Sequence, residues 1–133
     1  MVATRAQVGS ISPFFIVRNL QDTISFYRDK LGFEITFAAP EGEPFFAILR
    51  RDGVQVFVKE IGEHVPPIPN HQRHEWARWD AFAFTEDPDG LGAEFNRRSE
   101  DLIGSVADTD DGLRGFEVVD PNGYVLFFGR PQT

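Results

Sequence analysis

The chain repeats itself, and that repetition limits its fold more than any other feature. Asp52-Gly53-Val-Gln-Val-Phe57 returns as Asn122-Gly123-Tyr-Val-Leu-Phe127, and Ser12, seven residues before Asn19, returns as Asp80, seven before Asp87. The offset is 68 to 70 residues, close to half of the 133-residue chain. A repeat of this size describes two supersecondary units, neither of which can bury its apolar face alone.

Each copy reads as strand, helix, then three strands. Ile11–Arg18 reads as a strand, with Pro13 near its start where no ladder donor is required. From Asn19 the period becomes helical: Leu20, Ile24, Tyr27 and Leu31 share a face, Asn19 supplies a cap, and Gly32 sits where a helix ends. Phe33–Ala38 alternates as a half-buried strand, Pro40–Pro44 turns, and Phe45–Arg50 with Val54–Lys59 form a hairpin through Asp52-Gly53. Residues 60–78 carry Pro66, Pro67, Pro69 and all three histidines, His64, His71 and His74, and read as a surface linker. Trp79–Phe84 resumes as a strand, and Asp87 caps a helix to about Arg98 with Pro88 at its first position. Leu102–Val106, Leu113–Val119 and Tyr124–Phe128 complete the second copy, the last two joined by Asp120-Pro121-Asn122-Gly123. The expectation is α+β: one domain over 1–133, a first βαβββ module over 11–59, a linker over 60–78 and a second module over 79–130. Two open four-stranded sheets would form a concave surface between them.

Composition narrows the partners. Thirteen Lys and Arg against twenty-one Asp and Glu leave a net charge of −8, which repels nucleic acid and anionic lipid surfaces. There is no Cys, so disulfides, thiolate metal sites and a cysteine nucleophile are excluded, and no apolar run approaches a membrane span. A soluble cytoplasmic protein is expected. Fourteen Phe is more than a core of this size requires, so some are expected to line a pocket.

The chain resembles the glyoxalase/bleomycin resistance/extradiol dioxygenase family, the vicinal oxygen chelate superfamily. Val17-Arg-Asn-Leu20, Ser25-Phe-Tyr-Arg-Asp-Lys-Leu-Gly-Phe33 and Phe116-Glu-Val-Val-Asp-Pro-Asn-Gly123 carry the likeness. The resemblance implies paired modules forming a cupped, mostly antiparallel eight-stranded sheet, a homodimer, and a site inside the cup. Family enzymes hold a divalent metal at four positions that map here to Ser12, Phe57, Asp80 and Phe127. A Phe offers no donor, so no metal and no cofactor is expected, which argues against lyase, isomerase, transferase and dioxygenase chemistry. The chain is similar in character to the metal-free bleomycin-resistance members, which sequester a drug in clefts at a dimer interface.

The expected function is therefore metal-independent binding of an aromatic or cationic small molecule, a role in antibiotic resistance among the possibilities, with Phe57, Phe127, Asp80, Trp76, Trp79 and Ser12 as binding residues. Whether a reaction is catalysed stays open. One alternative is an enzyme with a metal displaced onto Asp80 and the linker histidines, or acid–base chemistry by Asp80 or Glu117. Another is an interaction module whose cup is filled by its own side chains. On strand parity Phe57 shares a face with Gln55 and Lys59, and Phe127 with Val125 and Gly129.

Overall fold

A computed structural model describes residues 4–132. Among these residues eight strands form two separate four-stranded sheets, ordered β1-β4-β3-β2 and β5-β8-β7-β6. The first contains β1 (Phe14–Val17), β2 (Glu34–Ala39), β3 (Phe46–Arg51) and β4 (Val54–Glu60). The second contains β5 (Ala81–Phe84), β6 (Ala107–Asp108), β7 (Leu113–Val119) and β8 (Val125–Pro131). In each, the first strand runs parallel to the last and the remaining pairs are antiparallel. The α+β class and the two βαβββ modules are those expected. Phe14 pairs with Phe57 and Phe82 with Phe127, so the ladders repeat at the sequence offsets of 68 (82 − 14) and 70 (127 − 57).

Helix α1 (Leu20–Ser25) starts where Asn19 Oδ1 accepts from the amide of Asp22, and it widens into a π-turn over Phe26–Lys30. Its apolar side, Leu20, Ile24, Tyr27 and Leu31, is buried as the spacing predicts. Helix α3 (Pro88–Arg98) begins on Asp87, whose carboxylate accepts from Gly90 N, with Pro88 at the position that needs no donor.

Two expectations need correction. Leu102–Val106 is not a strand; β6 is only Ala107–Asp108. The apolar residues of this stretch pack beneath α3 instead: Ile103 is buried and its amide donates to Asn96 Oδ1. Gly92 permits the approach, since a Cβ there would lie 2.8 Å from Val106 Cγ2 and 2.9 Å from Ile103 Cδ1. The linker is also not wholly irregular, because α2 (Asn70–Arg73) forms one turn within it. Among the described residues no helix is long and apolar enough to cross a membrane.

The core joins the modules. Val17, Leu49, Val56 and Val58 of the first sheet and Phe116, Val118, Leu126 and Phe128 of the second belong to one cluster with Tyr27 and Phe95. Phe15 stacks on Tyr124 at 4.2 Å across the boundary. A buried polar network ties the same seam: Tyr27 Oη donates to Asp120 Oδ2 (2.9 Å), Asn122 Nδ2 to Thr23 Oγ1 (3.1 Å) and Arg18 N to Asn122 Oδ1 (2.9 Å). Arg51 of β3 reaches α3, both guanidinium ends lying 2.7 Å from Glu94.

This packing has a geometric consequence. Strand residues alternate between faces, and each sheet turns one apolar face to the shared core. The opposite faces, which carry Phe57 and Phe127, lie outside this shared core.

Candidate functional site: two aromatic sheet faces

On the outer face of the first sheet, Phe57 stands beside its cross-strand neighbours Phe14 and Phe46, ring centroids 5.9 and 5.8 Å away. Phe37 adds an edge contact to Phe46 at 6.0 Å. Phe14 and Phe37 remain 56% and 51% exposed, so this is a surface of open rings rather than a core. Gln55 and Lys59 share the parity of Phe57 and are likewise half-buried, as the alternation predicts. Ser12 lies just before β1, its Oγ 3.4 Å from Gln55 Nε2.

The second face is flatter. Phe127 occupies the place equivalent to Phe57 and stacks on Trp79 (4.1 Å, 25°) and Phe82 (5.7 Å, 21°). Its ring lies along the strand over a pair of glycines, Gly115 and Gly129, which face each other across β7 and β8. A Cβ at Gly115 would come within 2.7 Å of the Phe127 ring. The two glycines thus leave the space in which the ring lies flat. Glu117, opposite Phe127 on β7, accepts from Trp79 Nε1 (2.8 Å) and from Arg78 Nε (2.9 and 3.0 Å). Beside this group is a hollow of about 490 Å³ rimmed by Leu102, Gly104 and Thr109.

Asp80 is placed differently from a free ligand group. Its Oδ1 accepts from Asn70 N and its Oδ2 from Val125 N, both at 2.8 Å, so the carboxylate anchors α2 and the start of β8. Arg78 pairs with Glu117 rather than with Asp80. Trp76 is 87% exposed beyond α2 and meets His74 edge-on, apart from Trp79 and Phe127. His71 Nε2 lies 2.8 Å from the carbonyl oxygen of Gly123, clamping the Asp-Pro-Asn-Gly turn. Among the described residues no three His, Asp or Glu side chains are grouped to share an ion. The family's metal does not fit here: two of its four positions are hydrocarbon rings, and the one carboxylate is committed to two backbone amides.

A larger cleft of about 740 Å³ runs between the modules, past Gln55, Phe84, Leu91 and Phe128. Its most prominent charges, Arg51 and Glu94, are satisfied by each other. Hydrogen bonding to Arg51 holds the Glu94 carboxyl at about 2, against the opposing effect of burial, with Arg98 adding a second hydrogen bond. In the seam, burial pushes Tyr27 well above its ordinary range and raises Asp120 as well, although Tyr27, Asn122 and Tyr124 all donate to that carboxylate.

Residue-by-residue reading of the sequence missed Phe14 and Phe82, and took Glu117 only as a possible acid or base. The signal for the two rings was present, since Phe14 and Phe82 are the ladder partners of Phe57 and Phe127 at the repeat offset.

These features define a class: paired βαβββ modules, each with an aromatic cluster on the sheet face outside the shared core. The family model of the Glyoxalase/Bleomycin resistance protein/Dioxygenase superfamily matches residues 7–126, and the chain belongs to that superfamily. Among solved structures it is similar to the bleomycin-binding protein of Streptomyces verticillus complexed with copper(II)-bleomycin: 24% identity, 93% of this chain and 97% of that one, TM-score 0.65. A glyoxalase-related enzyme from Clostridium phytofermentans aligns over 95% of this chain and 97% of its own, at 14% identity and TM-score 0.71. TnmS3, an antibiotic binding protein from Streptomyces sp. CB03234, aligns over 96% and 99% at 16% identity and TM-score 0.65. At these identities the likeness establishes the fold. No curated protein matches the chain significantly.

Proposed function

We propose that the protein binds a planar, apolar or cationic small molecule without a metal, and that it does so between two copies of the chain. The observation that carries this reading is the pair of aromatic faces outside the core, centred on Phe57 and Phe127, the positions at which a metal site would need donors. Each face is half of a cup. A second copy offers the missing half, its Phe127 face closing over the first copy's Phe57 face, and homodimerisation covers rings that a monomer leaves in water. Phe57 and Phe127 supply the stacking surfaces, with Trp79 lying over the latter; Ser12 and Gln55 form the polar rim, and Asp80 holds the edge of the site in place through α2. Trp76 stands at the edge and contributes only once a partner or ligand covers it.

Support for the ligand class comes from charge and from the relatives. A net charge of −8 favours cations. Two similar folds are described as binding bleomycin or an antibiotic, so sequestration of such a compound in the cytoplasm is the role we infer. The test is calorimetric titration with metal-free bleomycin alongside sedimentation. The expected result is a dimer with two equivalent sites, and Phe57→Ala weakening binding about tenfold or more, as loss of one stacking ring in a buried site would. A monomer that binds at full affinity, or a Phe57→Ala variant that binds unchanged, contradicts the reading.

A further inference from the structure

The second aromatic face is already occupied, and its occupant is chemically specific. The indole of Trp79 lies at 4.1 Å over Phe127, and the guanidinium of Arg78, the residue before it, lies on Glu117 at 2.9 Å. The same carboxylate also holds the indole N–H. A planar ring and an adjacent cation thus sit on a planar ring and an adjacent anion. We propose that Arg78-Trp79 is an internal stand-in for the ligand, and that the natural ligand is a planar aromatic carrying a positive charge next to its ring, which displaces this pair to reach Phe127 and Glu117. The inference rests on the binding reading above and deepens it by naming the ligand class.

Three features make the displacement feasible. The backbone on either side is fixed, since Asp80 binds Asn70 N and Val125 N while Asn70 Nδ2 donates to the carbonyl of Trp79. The indole can therefore swing on its own side-chain torsions without unpairing β5. The Arg78–Glu117 pair is weak and exchangeable, its side chains 51% and 32% exposed, in the range where ion pairs contribute little. The hollow rimmed by Leu102, Gly104 and Thr109 is adjacent and provides room for either the displaced indole or the remainder of the ligand. Beneath, Gly115 and Gly129 keep the Phe127 ring flat, so the surface uncovered is a plane.

Glu117 is then the residue that sets specificity. It separates cationic from neutral rings of the same shape, since only the former replace Arg78 on the carboxylate. The experiment compares 1-methylquinolinium with its neutral isostere 1-methylnaphthalene, with affinities read by calorimetry for every variant and the Trp76→Phe protein used so that Trp79 alone reports its own movement by fluorescence. Expected are preferential binding of the cation with a red shift as the indole leaves Phe127, and an affinity gain of about 3- to 10-fold in Trp79→Ala, which no longer has a ring to displace. Arg78→Ala, a surface change that leaves the fold intact, raises cation affinity by a smaller factor. Glu117→Gln lowers affinity for the cation about tenfold while 1-methylnaphthalene binding is retained or improved. If Trp79→Ala weakens cation binding, or Glu117→Gln weakens both probes equally, the stand-in is refuted while the binding reading survives. If neither probe binds the parent or Trp79→Ala, the binding reading itself falls.

Discussion

Replacing Asp120 by Ala tests the polar seam that joins the two modules. The carboxylate is 4% exposed and accepts from Tyr27 Oη at 2.9 Å, Asn122 N at 2.8 Å and Tyr124 N at 3.1 Å. Ala orphans all three donors, and the Tyr27 hydroxyl is completely buried between the modules. An unsatisfied buried donor costs about 1–3 kcal/mol, but water entering the vacated space recovers some of this for the two turn amides. Loss of a buried carboxylate also relieves its desolvation, the cause of its raised pKa, which offsets part of the damage. The net expectation is a loss of about 3 kcal/mol for Asp120→Ala and about 1 kcal/mol for Asp120→Asn, which keeps an acceptor for the turn. Urea unfolding followed by far-ultraviolet circular dichroism at neutral pH measures both, read as midpoint shifts at constant slope. A loss below about 1 kcal/mol for Ala, or an Asn variant as damaged as Ala, refutes the assignment of this network as a joint between modules.

The remaining expectations concern charge, packing and the flat aromatic floor. Because the folded-state pKa of Glu94 is lowered to about 2, its contribution is fully present above the ordinary glutamate range and is lost as pH falls from about 4.5 toward 2. The carboxylate is 27% exposed and screened, so the loss is about 1 kcal/mol, and Glu94→Gln should flatten that part of an acid unfolding profile. Asp120 acts in the opposite sense, since a raised pKa makes its ionisation a penalty that grows as pH rises above the ordinary carboxylate range; Asp120→Asn removes that slope. Gly92→Leu overpacks α3 against Ile103 and Val106 and should cost about 2 kcal/mol, measured by thermal melting. Gly115→Ala pushes the Phe127 ring off its bed and meets the carbonyl oxygen of Phe128, so it should both lower the melting temperature and weaken ligand binding; a variant with native affinity would contradict the role given to the glycine pair.

Where the sequence states a local conflict or its resolution, the fold was legible in it. Asp87-Pro88 marks the start of α3 to the residue, and Asp120-Pro-Asn-Gly123 joins β7 to β8 as its turn chemistry requires. The repeat offset correctly registered Phe57 with Phe127. Leu102–Val106 misled because an apolar run carries no mark of whether it enters a ladder or packs under a helix; the deciding partner, Gly92, lies on α3 and leaves no trace in the pattern of the run. One-turn α2 lacks a side-chain cap and leaves no periodicity. That the two faces lie outside the shared core was not legible either, since parity tells which residues share a face but not which face meets the other module. Asp80 shows the same limit: its residue type suggested a ligand contact, whereas the two backbone amides that donate to it are visible only once Asn70 and Val125 are placed.

The central claim is binding by aromatic faces with no metal, and titration of one planar cation in EDTA and again with excess Zn²⁺, Mn²⁺ or Ni²⁺ tests it most directly. The account predicts the same affinity in every case, with elemental analysis finding well below one equivalent of metal on the purified protein. Binding that vanishes in EDTA and returns with one equivalent of a divalent ion, lost again in Asp80→Ala, would contradict it.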